Sequence, residues 1–276
     1  MSIRKKGDNL SKLNQIIKDI KSIKIQGATN VARAALKAYT LVPSKSSKKK
    51  LIASRPTEPM MQKALELADG TNSKEILNHF DLSSDKIKEN SLKIIKNGDR
   101  IFTHCHSTSV TKSLIYAKGN GKKFSVYNTE TRPLYQGRKT ARELGEAGIK
   151  VTFFVDSAAA IAIEKDNKND KIYANKIFLG ADALSEKGAI NKVGSYLLAK
   201  IAYSNKIPVY IFADSWKFTR KKIPMEQRSL NEVWNNAPRN VRVKNPAFEF
   251  IPKKYISGIV TEFGIMGYDQ FLKKCN

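Results

Sequence analysis

The chain has 276 residues, 41% of them hydrophobic, and a formal net charge of +25 from 50 Lys and Arg against 25 Asp and Glu. That apolar fraction excludes wholesale disorder, and the length accommodates one large domain or two smaller ones with real cores. Two cysteines, Cys105 and Cys275, exclude a disulfide framework and suit a reducing compartment.

Leu10, Leu13, Ile16, Ile17, Ile20 and Ile23 recur at steps of three and four, which predicts an amphipathic helix. After Gln26-Gly27-Ala28-Thr29, the Ala-rich run 30–39 predicts a second helix capped by Thr29 or Asn30. Residues 44–50 read as a polar, cationic loop. Segments 59–68 and 84–96 predict two further helices, broken at Gly70 and ended at Gly98.

From residue 98 the texture changes. Short β-rich runs at 100–104, 123–127, 150–155, 176–179, 208–212 and 256–260 alternate with helical segments such as 139–147 and 192–203. Alternating units of this kind predict a mostly parallel sheet with helices on both faces. The expected fold class is α/β: a helical N-terminal domain over 1–97, then a Rossmann-like catalytic domain over 98–276. In such sheets ligands collect beyond the carboxyl ends of the strands. Cys105, Glu130, Asp156, Asp182 and Asp214 stand at five such ends and predict a pocket there.

No apolar run approaches the roughly 18 residues of a membrane span, and residues 1–9 lack the apolar stretch of a signal peptide. A soluble, cytoplasmic protein with no membrane partner is expected. The charge is uneven, with 13 basic and 2 acidic side chains in residues 1–50. Such a bias points first to a polyanion, nucleic acid above all. Yet no zinc-finger spacing or RNA-recognition aromatic pair is present, and Gly119-Asn120-Gly121-Lys122 lacks the spacing of a phosphate loop. Nucleic acid is therefore not the expected partner, and most of the lysine reads as solvated surface.

Thr103-His104-Cys105-His106-Ser107 gathers two of the three histidines with a cysteine. Strand alternation would send His104 and His106 to one face and Cys105 to the other, so no metal site is expected. A thiol from Cys105 and a carboxyl from Gly180-Ala181-Asp182, meeting in one cleft, can instead divide proton transfers. Asn191-Lys192-Val193-Gly194 reads as a helix start, where backbone N–H groups and Lys192 can hold a phosphate.

The order of these blocks is more specific than any one of them. IQGATNVARAA (25–35), SRPT (54–57), GDRIFTHCHS (98–107), TETRPLYQGR (129–138), VDSAA (155–159), GAD (180–182), NKVG (191–194), Lys217-Phe218, NPAFEFIP (245–252) and TEFG (261–264) run through most of the chain. Together they resemble the family that contains archaeal ribose-1,5-bisphosphate isomerases, methylthioribose-1-phosphate isomerases and the regulatory subunits of translation initiation factor 2B. The THCHS and ETRP–QGR wording is most similar to the ribose-1,5-bisphosphate isomerases.

The resemblance implies conversion of ribose 1,5-bisphosphate to ribulose 1,5-bisphosphate in nucleotide (AMP) salvage, without cofactor or metal. Its alternative is a non-catalytic regulatory subunit. Carried over, Cys105 takes the carbon-bound proton and Asp182 shuttles the hydroxyl proton. Gln26, Gly27, Ala28, Thr29, Arg55, Asn191, Lys192 and Lys217 become the contacts to the sugar bisphosphate. AMP as activator and assembly into homo-oligomers, dimers or hexamers, are implied as well. One departure stands out. The isomerases commonly carry Arg where this chain has Gln26, which brings no charge, and Arg33 or another basic neighbour is the candidate to compensate. Nearby cations are expected to depress the Cys105 thiol, and an apolar setting to raise Asp182. Arg132 and Arg138 read as ion-pair partners, and His104 and His106 as packing residues.

Overall fold

The computed structural model describes residues 3–164 and 173–275. Its first five elements are helices: α1 (Ile3–Lys21), α2 (Ala28–Leu41), α3 (Lys45–Ser54), α4 (Pro59–Leu67) and α5 (Ser73–Ser91). Their apolar faces meet in one core, with Leu13 and Ile20 from α1, Leu36 from α2, Leu51 from α3 and Met61 from α4. Helix α5 serves two cores. Ile76 and Phe80 face the helical one, whereas Ile87, two turns on, packs beneath the sheet.

Several boundaries differ from the sequence reading. Residues 44–50 are not a loop but open α3, where Ser44 accepts from the Ser47 N–H at 3.1 Å and Ser47 and Leu51 turn inward. Two buried positions among lysines leave too little apolar pattern to see in the sequence. Helix α5 begins at Ser73 rather than 84, because Asn72 caps it by accepting from the Lys74 N–H at 2.9 Å. Neither Thr29 nor Asn30 caps α2. Gly27 holds that position at φ 84°, and no side chain accepts there.

The sheet follows as β1 (Arg100–Thr103), α6 (Thr108–Gly119), β2 (Ser125–Thr129), α7 (Gln136–Glu146) and β3 (Lys150–Phe154). Next come β4 (Lys176–Gly180), β5 (Ala183–Ser185), β6 (Gly188–Lys192), α8 (Ser195–Ser204) and β7 (Val209–Phe212). The chain closes with β8 (Phe248–Pro252), β9 (Gly258–Thr261), β10 (Gly264–Met266) and α9 (Tyr268–Cys275). Seven strands lie in the order β10-β9-β7-β4-β1-β2-β3, all parallel except β10. Adjacent residues serve opposite faces, as the pleat requires: Phe102, Ile177 and Leu179 pack with α8 and α9, Ile101 and Phe178 with α5, α6 and α7. A second, antiparallel sheet of β5, β6 and β8 was not legible beforehand. It takes Asn191 and Lys192 into β6, so they precede α8 rather than start it. Among the described residues no helix is long and apolar enough to cross a membrane.

Candidate active site

Strands β1 and β4 are neighbours, yet the chain leaves β1 toward β2 and β3 and leaves β4 toward β7 and β9. That reversal opens a crevice beyond their carboxyl ends, the place where open α/β sheets bind ligands. A cavity of about 340 Å³ lies there, and all ten candidate residues, Cys105 and Asp182 included, line it. Of the five strand-end residues, Asp214 also lines it, but Glu130 and Asp156 do not. They follow β2 and β3, away from the reversal. Asp156 instead holds a turn, accepting from the Thr131 and Arg132 N–H groups at 2.8 and 2.6 Å. Arg138 lies 3.8 Å from Glu130 and against the Tyr135 ring, while Arg132 packs on that same ring.

Strand β1 ends at Thr103, so strand alternation does not govern the residues beyond it. Cys105 sits at φ 66°, its N–H donating to Thr131 Oγ1 at 2.9 Å. Burial pushes the His104 imidazole below its ordinary pKa. Its neutral ring donates from Nε2 to the Val193 carbonyl at 2.9 Å and accepts the Thr129 hydroxyl at Nδ1, 2.5 Å away. This fastens the end of β1 to the segment carrying Lys192. His106 donates to Thr140 Oγ1 at 3.0 Å, and that hydroxyl donates to the Cys105 carbonyl at 2.9 Å. The three side chains thus part because the chain turns. Gly180 matters on the facing strand: a Cβ there would stand 2.5 Å from Ser107 Oγ, the cap of α6.

Burial pushes the Cys105 thiol up to about 12; the His106 backbone N–H opposes it, the Asp182 charge adds to it, and Lys192 opposes it in turn. The expectation of a depressed thiol is therefore wrong for this cavity, because enclosure outweighs the nearby cation. Asp182 is raised, as expected, chiefly by burial and against the pull of Lys217 and Arg55. Lys192 is 7% exposed, its ammonium makes no hydrogen bond or ion pair with the described residues, and burial lowers its pKa. Lys217 Nζ donates to the Ala181 carbonyl at 2.6 Å. Arg55 Nε and Nη1 are buried without a hydrogen-bond partner among the described residues. At the far wall α2 presents its uncapped N-terminus. Open N–H groups, a bare ammonium and a half-satisfied guanidinium are donors of the kind that can receive an anion.

A match to the initiation factor 2 subunit family covers residues 30–267, most of the chain. The chain belongs to this family. It is 31% identical to the ribose 1,5-bisphosphate isomerase of Archaeoglobus fulgidus, over 89% of this chain and 86% of that protein. It is 38% identical to the methylthioribose-1-phosphate isomerase of Geobacillus thermodenitrificans, over 66% of this chain and 55% of that protein. Among solved structures, the translation initiation factor eIF-2B of Pyrococcus horikoshii superimposes with a TM-score of 0.79 at 25% identity, covering 97% and 98% of the two chains.

In this family member Gln26 is exposed at the cavity, and Arg33 lines the same wall. Arg33 is already paired, 2.6 Å from Asp81, so its charge is largely compensated. Three participants escaped the sequence reading. Gln136 lies in the QGR block and turns a buried, unpartnered Oε1 in a residue that lines the cavity. Arg228 comes from the irregular stretch between β7 and β8, held 2.6 Å from Glu232. Glu58 stands behind Arg55 with 1% exposure, and the one signal for it in the sequence is its place directly after SRPT. His79, Asp214 and Glu262 place ligand atoms within 4.8 Å of one another, a composition that suits a metal. Each is engaged by the protein: His79 stacks on Trp216 at 3.6 Å, and Asp214 and Glu262 accept from the Trp216 and Ser215 N–H groups. The group ties α5 to the loops after β7 and β9.

Burial raises the Glu58 carboxyl to about 7, with the Asp182 charge adding to the rise and Arg55 opposing it. The folded chain holds this proton more tightly than the unfolded chain, where a Glu titrates near about 4.3. The stability this group contributes is complete below that value and is lost as pH rises through about 7. From pH 5 to pH 8 the wild type should lose about 2–3 kcal/mol relative to Glu58→Gln in denaturant unfolding. A difference between the two chains that does not change with pH would refute this.

Proposed function

We propose that the chain is a sugar-phosphate isomerase that converts ribose 1,5-bisphosphate to ribulose 1,5-bisphosphate, with Cys105 and Asp182 as its proton-transfer pair. The observation that carries the reading is the meeting of this thiol and this carboxyl at the β1/β4 reversal, beside cationic groups whose hydrogen-bonding capacity is not filled by the described residues. The named isomerases among its relatives support it.

In the reaction the ring bond from C1 to O4 opens, hydrogen passes from C2 to C1, and the C2 hydroxyl becomes a carbonyl. Cys105 takes the C2 proton and returns it to C1. Asp182 takes the hydroxyl proton and delivers it to O4. C1 is reduced as C2 is oxidised, so the sum needs no external oxidant. Thiolate formation falls to Lys192, whose charge already acts on the Cys105 sulfur. The raised Asp182 suits a group that must both accept and donate a proton. Arg55, Lys192, Lys217 and the α2 N-terminus hold the two phosphates.

A second reading, a non-catalytic regulatory subunit, is favoured by the likeness to eIF-2B and by the uncharged Gln26. One experiment separates the two. Purified chain is supplied with ribose 1,5-bisphosphate and the products are followed by NMR. Ribulose 1,5-bisphosphate should accumulate only with the protein present. No turnover leaves the regulatory reading in its place.

A further inference from the structure

Arg55 lines the cavity with one edge and touches Glu58 with another, Nε standing 3.3 Å from Oε1. The contact is an ion pair by distance but is misaligned as a hydrogen bond. Arg55 Nε and Nη1 stay without an acceptor, and Glu58 Oε2 stays without a donor, all shielded from solvent. A buried carboxylate with an unsatisfied oxygen is costly, and so is a buried guanidinium with open N–H groups. Each is therefore open to a better partner. For Arg55 that partner is a phosphate in the cavity, toward which the guanidinium turns from Glu58 so that the phosphate oxygens take its N–H groups in line. Glu58 then stands beside a dianion with its own counter-charge withdrawn.

We propose that Glu58 is an internal counter-anion of Arg55, displaced by substrate phosphate and taking one proton from solvent as the phosphate binds. The inference rests on the reading of the cavity as a sugar-phosphate site. The charged groups facing Glu58 are Arg55 and Lys217, which favour its carboxylate, and Asp182 and Glu226, which oppose it. Its elevated pKa leaves the carboxylate close to protonation before any ligand arrives. Glu58 is a positioning residue here, since it acts on substrate through Arg55. Binding gains from acid and weakens as Glu58 ionises more firmly.

Calorimetric titration with ribitol 1,5-bisphosphate, an open-chain polyol with no C1–O4 ring bond to open, counts the proton when repeated in buffers of different ionisation enthalpy. At pH 8 phosphate monoesters, with a second pKa of about 6, are already ionised and supply no compensating proton. The wild type should take up close to one proton per ligand, Glu58→Gln almost none, and Glu58→Gln should bind several-fold tighter. Asp182→Asn should keep the uptake, which excludes Asp182 as its source, and Glu58→Ala repeats the measurement without the amide. Uptake that persists in both Glu58 variants, or that vanishes in Asp182→Asn, overturns the proposal alone. A wild-type chain that does not bind the bisphosphate overturns this inference together with the isomerase reading.

Discussion

Replacing Cys105 with Ala, or Asp182 with Asn, is expected to lower kcat for ribose 1,5-bisphosphate by about 10³-fold, within the range one positioned acid–base group supplies. Binding of the bisphosphate should stay within a few-fold in both variants. The two residues come from neighbouring strand ends and act on different protons, one bound to carbon and one to oxygen. Neither can cover for the other: an amide at 182 keeps the shape but cannot carry a proton, and a methyl at 105 offers no base. Folding should be spared, because Ala at 105 meets the same left-handed φ of 66° that Cys already adopts. Product formation by NMR and affinity by calorimetry read the two effects separately. Should either variant keep a tenth of wild-type turnover, the pair is not the proton-transfer machinery.

Lys192→Met should show stability and activity moving in opposite directions. Lys192 is a buried ammonium without a hydrogen-bond or ion-pair partner among the described residues, and desolvation by burial outweighs the pull of the acidic groups near it. An apolar side chain of similar length relieves that strain and should raise the melting temperature by about 2 °C. The same change removes a charge from the phosphate and from the Cys105 sulfur, whose pKa then rises further. Turnover efficiency, kcat/KM, should fall about 10²-fold, the worth of one charge-assisted contact. Both kcat and KM should contribute. A variant that melts lower and keeps its kcat/KM would show Lys192 to be a structural residue.

Gln26 lines the cavity, and Glu58 stands behind another lining residue, Arg55. An uncharged residue stands at the rim, and a carboxylate compensates the arginine behind it. Arg33, the neighbour expected to make good the missing charge, is held by Asp81. On the proposed reading, the charge that Arg55 offers a phosphate depends on how far Glu58 is protonated, so a carboxyl that no motif contains would tune substrate affinity.

Much of the framework was legible because its causes are local. Short β-rich apolar runs marked β1, β4 and β7, as fits parallel strands buried on both faces, and three- and four-residue steps marked α1, where burial repeats with the helical turn. The same rule failed where the pattern was thin, at α3 with two inward residues among lysines, and at the small sheet of three- and five-residue strands. It also failed for caps: Gly27 leaves α2 uncapped, a choice visible only once the N-terminus is seen facing a cavity.

By itself the amino-acid sequence determined that an α/β sheet carries a thiol after one strand and a carboxyl after another, with basic groups in attendance. Only the tertiary structure decided that β1 and β4 are neighbours at a reversal, which admits Cys105, Asp182 and Asp214 to the cavity and leaves Glu130 and Asp156 outside. Strand order depends on pairing between distant segments, and no local pattern encodes it. Tertiary structure also decided the charge states. Burial is a collective property of every neighbour at once, and here it sends the thiol up where nearby cations alone would have sent it down.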